Sequence, residues 1–98
     1  MSIVLLGGHD RMKREYEKMG EKLGHKVKVY TQMTPKMEKN IGCPDCILVF
    51  TDVISHKIVY AALKVSKSKK IPLLRSHNSS MNGFISLITQ LETLKNGG

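Results

Sequence analysis

The amino-acid sequence predicts a single α/β domain in which helices cover both faces of a four-stranded parallel sheet. Residues 3–6 and 46–50 form continuous apolar runs, as central parallel strands buried on both faces do. Residues 26–31 and 71–74 have the features of edge strands, and a segment with helical apolar spacing follows each of the four. The 98 residues suffice for one such core.

The first half of the chain supplies two of these strand–helix units. A helix is predicted over residues 10–23, and Gly24 ends it. Its inward face carries Met12, Tyr16, Met19 and Leu23. Residues 26–31 alternate valine with exposed side chains, as a half-exposed edge strand does. Thr34 followed by Pro35 predicts the cap and first turn of a short helix that ends near residue 40.

The second half repeats the pattern. Ser55 and His56 begin a helix that runs to about residue 66, and residues 66–70 form a basic connection. The buried side of that helix carries Ile58, Val59, Ala62, Leu63 and Val65. Pro72 makes residues 71–74 an edge strand or a strand start. The last helix turns inward Met81, Phe84, Ile85, Ile88 and Leu91, and residues 95–98 are predicted to be a frayed tail.

Right-handed crossovers then give the strand order 2-1-3-4, with the two continuous apolar strands in the middle. This is a Rossmann-like or flavodoxin-like three-layer domain that spans residues 1–98. In such a sheet the ligand site lies at the carboxyl ends of the strands, where the order reverses. Here that point lies between the first and third strands.

The glycine corner, residues 7–11, occupies that position. Gly7 and Gly8 permit a sharp turn and close approach to the main chain, and Asp10 is predicted to cap the following helix. Arg11 adds a fixed cation. The third glycine of the dinucleotide fingerprint is missing. A tight turn without a ligand is the alternative interpretation.

Composition limits the classes of partner. The chain has 16 Lys and Arg against 8 Asp and Glu, a net charge of +8, which permits anionic partners without choosing among them. With only 3 Tyr, 2 Phe and no Trp, it lacks the base-stacking pattern of many RNA-binding and single-strand-binding proteins, so nucleic acid is not the predicted ligand. No apolar run approaches membrane-spanning length, and the chain begins directly with a strand; a cytoplasmic protein without a signal peptide is predicted.

Three of the four histidines follow predicted strands and therefore belong to one sheet edge. They are His9, His56 and His77, whereas His25 precedes its strand and is predicted to be solvated at the opposite edge. Imidazoles can ligate a transition metal or a haem iron, or they can cap helices and bond to loops. Further donors at this edge are Ser55, Asn78, Ser79, Ser80 and Arg75, and Asp52 is its acidic side chain beside a central strand.

Other chemistry has little support in the sequence. Cys43 and Cys46 precede a strand, away from the glycine corner, so a redox or metal role is disfavoured and Cys46 is predicted to lie in the core. The basic group Lys64, Lys67, Lys69 and Lys70 falls near the same far edge and is predicted to be solvated. No nucleophile elbow is present, so no enzymatic activity is predicted.

Residues 2–12, 30–33, 51–57 and 75–80 together resemble a small bacterial family known as domain of unknown function 2325. The most specific element is Gly-Gly-His-x-x-Arg, residues 7–9 and 11. The resemblance implies a homodimer that binds b-type haem non-covalently and takes dioxygen or another diatomic gas. It implies that the N–H of Gly7 or Gly8 and the Arg11 side chain hydrogen-bond the gas.

The axial ligand of the iron would then come from the other side of the haem. This disfavours His9 and favours His56, with His77 or a histidine of the second subunit as alternatives. A different function is also open. The glycine corner with Ser79 and Ser80 could cradle a nucleotide or a phosphate at helix N-termini.

Overall fold

The computed structural model describes the backbone of residues 1–97 and the side chains of residues 1–94. Strands and helices alternate along the chain: β1 Ser2–Leu6, α1 Lys13–Lys22, β2 Lys26–Tyr30, α2 Met37–Ile41, β3 Cys46–Phe50, α3 His56–Lys69, β4 Leu73–Ser76 and α4 Met81–Gly97. Within residues 1–97, no helix combines the length and the apolar character that crossing a membrane requires.

The four strands form one parallel sheet in the order β2-β1-β3-β4, which confirms the predicted fold class and strand order. The two central strands are those with continuous apolar sequences, and every residue of β3 is buried. Both edge strands pair on one side only, as their mixed sequences predict.

Apolar side chains fill both faces of the sheet. On one face α1 and α4 pack over the sheet, and the rings of Phe50 and Phe84 each lie 5.4 Å from the ring of Tyr16. On the other face α2 and α3 cover Val4 and Leu6 of β1 and Ile47 and Val49 of β3. The three-layer arrangement brings all four strand carboxyl ends to one edge.

The first helix begins differently from its prediction. Residues Asp10–Met12 form a 3₁₀ turn, and α1 starts at Lys13. Asp10 does not cap the helix; its carboxylate accepts hydrogen bonds from Thr31 and Gln32 beyond β2. The Asp10 side chain, which the local sequence predicts as a helix cap, is therefore bonded to the loop after β2 instead.

The predicted start of α2 is also wrong. Thr34 and Pro35 precede the helix, and Lys36, in the left-handed region at φ 60°, is the residue before Met37. The Thr34 hydroxyl instead accepts a hydrogen bond from the Asn40 side chain at 2.9 Å. The side-chain bond replaces the backbone cap that the threonine–proline pair predicts.

The later elements are shifted or longer. Helix α3 continues to Lys69, and β4 spans Leu73–Ser76 rather than residues 71–74. Its register with β3, in which Ile47 pairs with Leu73, sets this position. Helix α4 extends to Gly97 where a tail from residue 95 was predicted; Gly98 lies outside the described residues.

Helical spacing predicts most inward positions, and the errors lie at the margins of the faces. Leu23 and Leu63 are about two-fifths exposed, at 40% and 41%, because Leu23 follows the end of α1 and Leu63 lies beyond the buried stripe of α3. Half-buried positions are Met12, Met19, Val59, Met81 and Ile85. Ala61 and Leu87 are buried although they were not predicted to be.

Gly20 illustrates a close contact that periodicity does not reveal. A β-carbon at this position would lie 2.2 Å from Cγ2 of Val27, so α1 packs directly on β2 through the missing side chain. We predict that Gly20→Ala destabilises the protein by about 1–3 kcal/mol through overpacking, despite the better helix propensity of alanine. Denaturant unfolding measures the change. The double variant Gly20→Ala/Val27→Ala should lose less than the sum of the single losses; strict additivity would contradict the clash.

Candidate functional site

The carboxyl edge of the sheet collects the four loops that follow the strands. Gly7 follows β1, Thr31 follows β2, Thr51 follows β3 and His77 follows β4. The parallel register makes these loops neighbours, which confirms that the polar segments share one edge. The site is described from the glycine corner outward.

Gly7 and Gly8 are buried and adopt positive φ angles of 96° and 85°. A β-carbon on Gly7 would lie 2.7 Å from the carbonyl oxygen of Phe50, and one on Gly8 would lie 3.0 Å from the Tyr16 hydroxyl. Their N–H groups donate to the carbonyl oxygens of Tyr30 and Val53, each at 2.9 Å. Both N–H groups are therefore engaged within the protein and are not free for a ligand.

The side chains after the glycines behave differently from one another. Asp10 joins the loop after β2, as described above, while His9 and Arg11 are exposed. The ion pairs among the described side chains are His25 with Glu92 and Lys64 with Glu38, so neither involves Arg11. The Arg11 guanidinium stands in solvent above this edge as an available donor and cation.

Ser79 is the point where the loops after β3 and β4 meet helix α1. Its N–H and hydroxyl donate to the Asp52 carboxylate at 3.0 and 2.9 Å, and its carbonyl accepts a hydrogen bond from the Tyr16 hydroxyl. Ser79 is 8% exposed, so these bonds satisfy a buried polar residue. The sequence predicts Ser79 as a ligand donor; the structure uses it to fasten the loops after β3 and β4 to α1.

Burial raises the pKa of the Tyr16 hydroxyl, and the nearby charges of Asp52 and Glu15 raise it further. The hydroxyl therefore stays protonated, as its donor role towards Ser79 requires. Asp52 and Tyr16 are structural members of this framework whose hydrogen bonds the sequence did not predict. The sequence indicated only the acidic character of Asp52 beside a central strand and the inward position of Tyr16 on the first helix.

The three histidines of this edge are exposed and differ in their surroundings. Nδ1 of His77 lies 2.7 Å from the Thr51 hydroxyl. Among the described residues, the rings of His77 and His25 form hydrogen bonds, and those of His9 and His56 form none. Within the described part of the chain, no three His, Cys, Asp or Glu side chains come together as a metal site.

His25 lies at the opposite edge, as predicted, but it is not solvated. Its ring nitrogens lie 3.3 Å from the Met1 amino group and 3.3 Å from the Glu92 carboxylate. The ring therefore joins the start of β1 to α4, which is a structural role.

At the starts of α3 and α4, serine hydroxyls already accept hydrogen bonds from backbone N–H groups. The Ser55 hydroxyl accepts from the N–H of Lys57, which confirms the predicted cap, and the Ser80 hydroxyl accepts from the N–H of Gly83. Asp52 already occupies the N–H of Ser79. A phosphate would have to displace these acceptors to use the same N–H groups.

Two cavities, one apolar and one lined by charged residues, lie at different places on the molecule. A predominantly apolar cavity of about 460 Å³ lies away from the glycine corner, lined by Met1, Asp45, Pro72, Leu91 and Leu94. A groove of about 540 Å³ beside the glycine corner is lined by charged residues: Asp10, Arg11, Lys13, Arg14, Glu15 and Glu17. Neither includes a histidine of the carboxyl edge.

Comparison with protein-family models supports the family resemblance noted in the sequence. A family model described as an uncharacterized protein conserved in bacteria (DUF2325) matches residues 2–91. The chain belongs to the DUF2325 family. No curated protein and no solved structure matches this DUF2325 chain. The match includes the glycine corner and all three histidines of the carboxyl edge.

The cysteines of this DUF2325 domain lie outside that edge. Cys43 is exposed and Cys46 is fully buried as the first residue of β3, and both thiols are free. Burial raises the pKa of the Cys46 thiol to about 11, and the charge of Asp45 acts in the same direction. A buried thiol that stays protonated is a core residue, as predicted. The basic group lies away from the edge too: Lys64 pairs with Glu38, and the Lys69 amine donates to the Gly42 carbonyl.

The raised pKa predicts a loss of stability in alkali. Below the ordinary thiol pKa of 9.0 the contribution of Cys46 is fully present, and it falls as the pH rises towards about 11 because the unfolded thiol ionises first. Between about pH 8 and pH 10.5 we expect Cys46 to account for about 1–2 kcal/mol of lost unfolding free energy. Urea unfolding of Cys46→Ala should show a correspondingly smaller loss. Cys43→Ala is the control and should follow the wild type; equal losses in all three proteins would contradict the prediction.

Proposed function

We propose that this DUF2325 chain binds haem b non-covalently and holds dioxygen or another diatomic gas for sensing or storage, without enzymatic turnover. The observation that carries the proposal is the set of exposed imidazoles and the exposed Arg11 guanidinium at one sheet edge. Resemblance to the family supplies the identity of the cofactor. The chemistry of the edge is what makes that cofactor suitable here.

The donor set fits a haem. Neutral imidazole is a ready ligand for its iron, and His56 and His77 are both accessible from solvent. When bound, haem supplies the iron that takes the gas. The chain supplies an imidazole on one side and a hydrogen-bond donor on the other.

Arg11 is the proposed donor towards the gas. The glycine N–H groups that the resemblance implied for this role are bonded to the Tyr30 and Val53 carbonyls. Gly7 and Gly8 have a structural role instead: their missing side chains allow the corner to pack against the Phe50 carbonyl and the Tyr16 ring. The guanidinium is permanently charged and can stabilise the partial negative charge of bound dioxygen.

A second copy of the chain is the proposed cover for the cofactor. Haem has large apolar faces, whereas the apolar cavity of the single chain lies away from the histidines of the carboxyl edge. Tyr60, one turn beyond His56 on α3, is 72% exposed, and Leu63 on the same helix is 41% exposed. Covering this apolar surface by a second subunit would shield the haem and remove both side chains from water.

The absorption spectrum of the purified protein with added haem tests the proposal. We expect a Soret band that shifts on reduction and again on exposure to oxygen or carbon monoxide. Light scattering on the same sample should give the mass of a dimer. A protein that leaves the spectrum of the added haem unchanged and carries a bound nucleotide would overturn the proposal and favour the phosphate-binding alternative.

Replacing Arg11 tests the gas side separately. Arg11→Ala should retain haem but bind oxygen about ten- to a hundredfold more weakly, chiefly through faster dissociation, because a charge-assisted hydrogen bond contributes about 1.5–3 kcal/mol. Carbon monoxide carries less charge when bound and should change much less. Arg14→Ala, which removes a neighbouring exposed arginine, is the matched control. Equal weakening of both gases would assign Arg11 a structural role instead.

A further inference from the structure

The contact between Thr51 and His77 distinguishes one histidine from the other candidates. We propose that Thr51 is a positioning residue that holds the His77 ring with its Nε2 atom as the haem ligand, an inference that rests on the proposed function. The sequence favours His56 for this role, so the proposal reassigns the ligand.

The direction of the hydrogen bond between Thr51 and His77 sets the tautomer of the ring. The Thr51 hydroxyl has one hydrogen to donate, and its oxygen lies 3.3 Å from the Ser76 carbonyl oxygen, which can only accept, and 2.7 Å from Nδ1 of His77. The proposal assigns that hydrogen to Ser76, so that the hydroxyl oxygen accepts from Nδ1–H of His77. A neutral ring with its proton on Nδ1 carries its lone pair on Nε2. This is the tautomer that a ligand bonded through Nε2 requires.

Two paired strand ends support Thr51 and His77. Thr51 follows β3 and His77 follows β4, and the last residues of these paired strands, Phe50 and Ser76, are register partners. The N–H of Thr51 continues the ladder with a 2.8 Å bond to the Ser76 carbonyl. The ring is thus oriented by the ends of two paired strands, one of which is entirely buried. Ligating histidines commonly have this arrangement, with the second ring nitrogen donating to a fixed acceptor.

His56 lacks this support. It is the first residue of α3 and is exposed, and its ring forms no hydrogen bond with the described residues. A ring without such a bond has neither its tautomer nor its rotation fixed, so ordering it on a ligand costs more conformational entropy. His77 has this ordering in place before any ligand arrives, and it remains exposed.

Nuclear magnetic resonance of the haem-free protein tests the tautomer independently of the cofactor. Long-range nitrogen–proton spectra of the imidazoles at neutral to mildly alkaline pH should give the Nδ1–H form for His77. Thr51→Val, which keeps the shape and removes the hydroxyl, should shift His77 towards the Nε2–H form usual for a free histidine. Thr51→Ser should restore the wild-type spectrum. An Nε2–H ring in the wild type would overturn the proposal.

Haem titration then tests the ligand. His77→Ala should lose the histidine-ligated spectrum, while His56→Ala should keep it. Thr51→Val should still bind haem, with about ten- to a hundredfold weaker retention and a lower iron–imidazole stretching frequency by resonance Raman, and Thr51→Ser should recover both. A His77→Ala spectrum identical to that of the wild type would overturn this inference and leave the proposed function standing. Failure of the wild type itself to take up haem would overturn both.

Discussion

The close approach of the glycine corner to the loop after β3 is the constraint on which the rest of the site depends. Gly7 and Gly8 occupy positive φ angles and lie where any β-carbon would meet the main chain of Phe50 or the ring of Tyr16. The N–H of Gly7 bonds to Tyr30 at the end of β2, and the N–H of Gly8 bonds to Val53 in the loop after β3. This packing fixes where the chain leaves the sheet and hence where the 3₁₀ turn and α1 begin.

The polar groups of the carboxyl edge fall into two sets with different fates. Asp10 and Asp52 bond across loops, and Ser79 is buried between Asp52 and Tyr16. Asp10 and Asp52 are exposed, and their bonds join neighbouring loops; the bonds of Ser79 and Tyr16 satisfy buried groups that would otherwise be costly to remove from water. The second set comprises imidazole and guanidinium side chains that are exposed: His9, Arg11, His56 and His77. A rigid polar framework thus presents a few accessible cationic and imidazole groups, which is how a small domain can hold a ligand without a deep cavity of its own.

Much of the fold could be predicted from residue patterns. Continuous apolar runs placed β1 and β3 in the middle of the sheet, since only strands buried on both faces can lack polar residues. Element boundaries were less predictable. Strand β4 is displaced because its register with β3 outweighs the local preference of Ile71 and Pro72, so a partner elsewhere in the fold competes with the local signal. Helix α2 starts late because Lys36 adopts a left-handed conformation, which helical residues do not, while the Thr34 hydroxyl bonds to Asn40.

The sequence by itself determined the α/β class, the order of the strands and the sheet edge that collects the glycines and three histidines, because apolar periodicity and chain direction suffice for these. Only the tertiary structure decided which polar atoms are free. In the fold, the N–H groups of Gly7 and Gly8 donate to neighbouring carbonyl oxygens, and the Asp10 carboxylate accepts from the loop after β2. The fold also placed the Thr51 hydroxyl beside His77, 26 residues along the chain. Hydrogen bonds between distant residues depend on three-dimensional proximity, and local sequence carries no record of it.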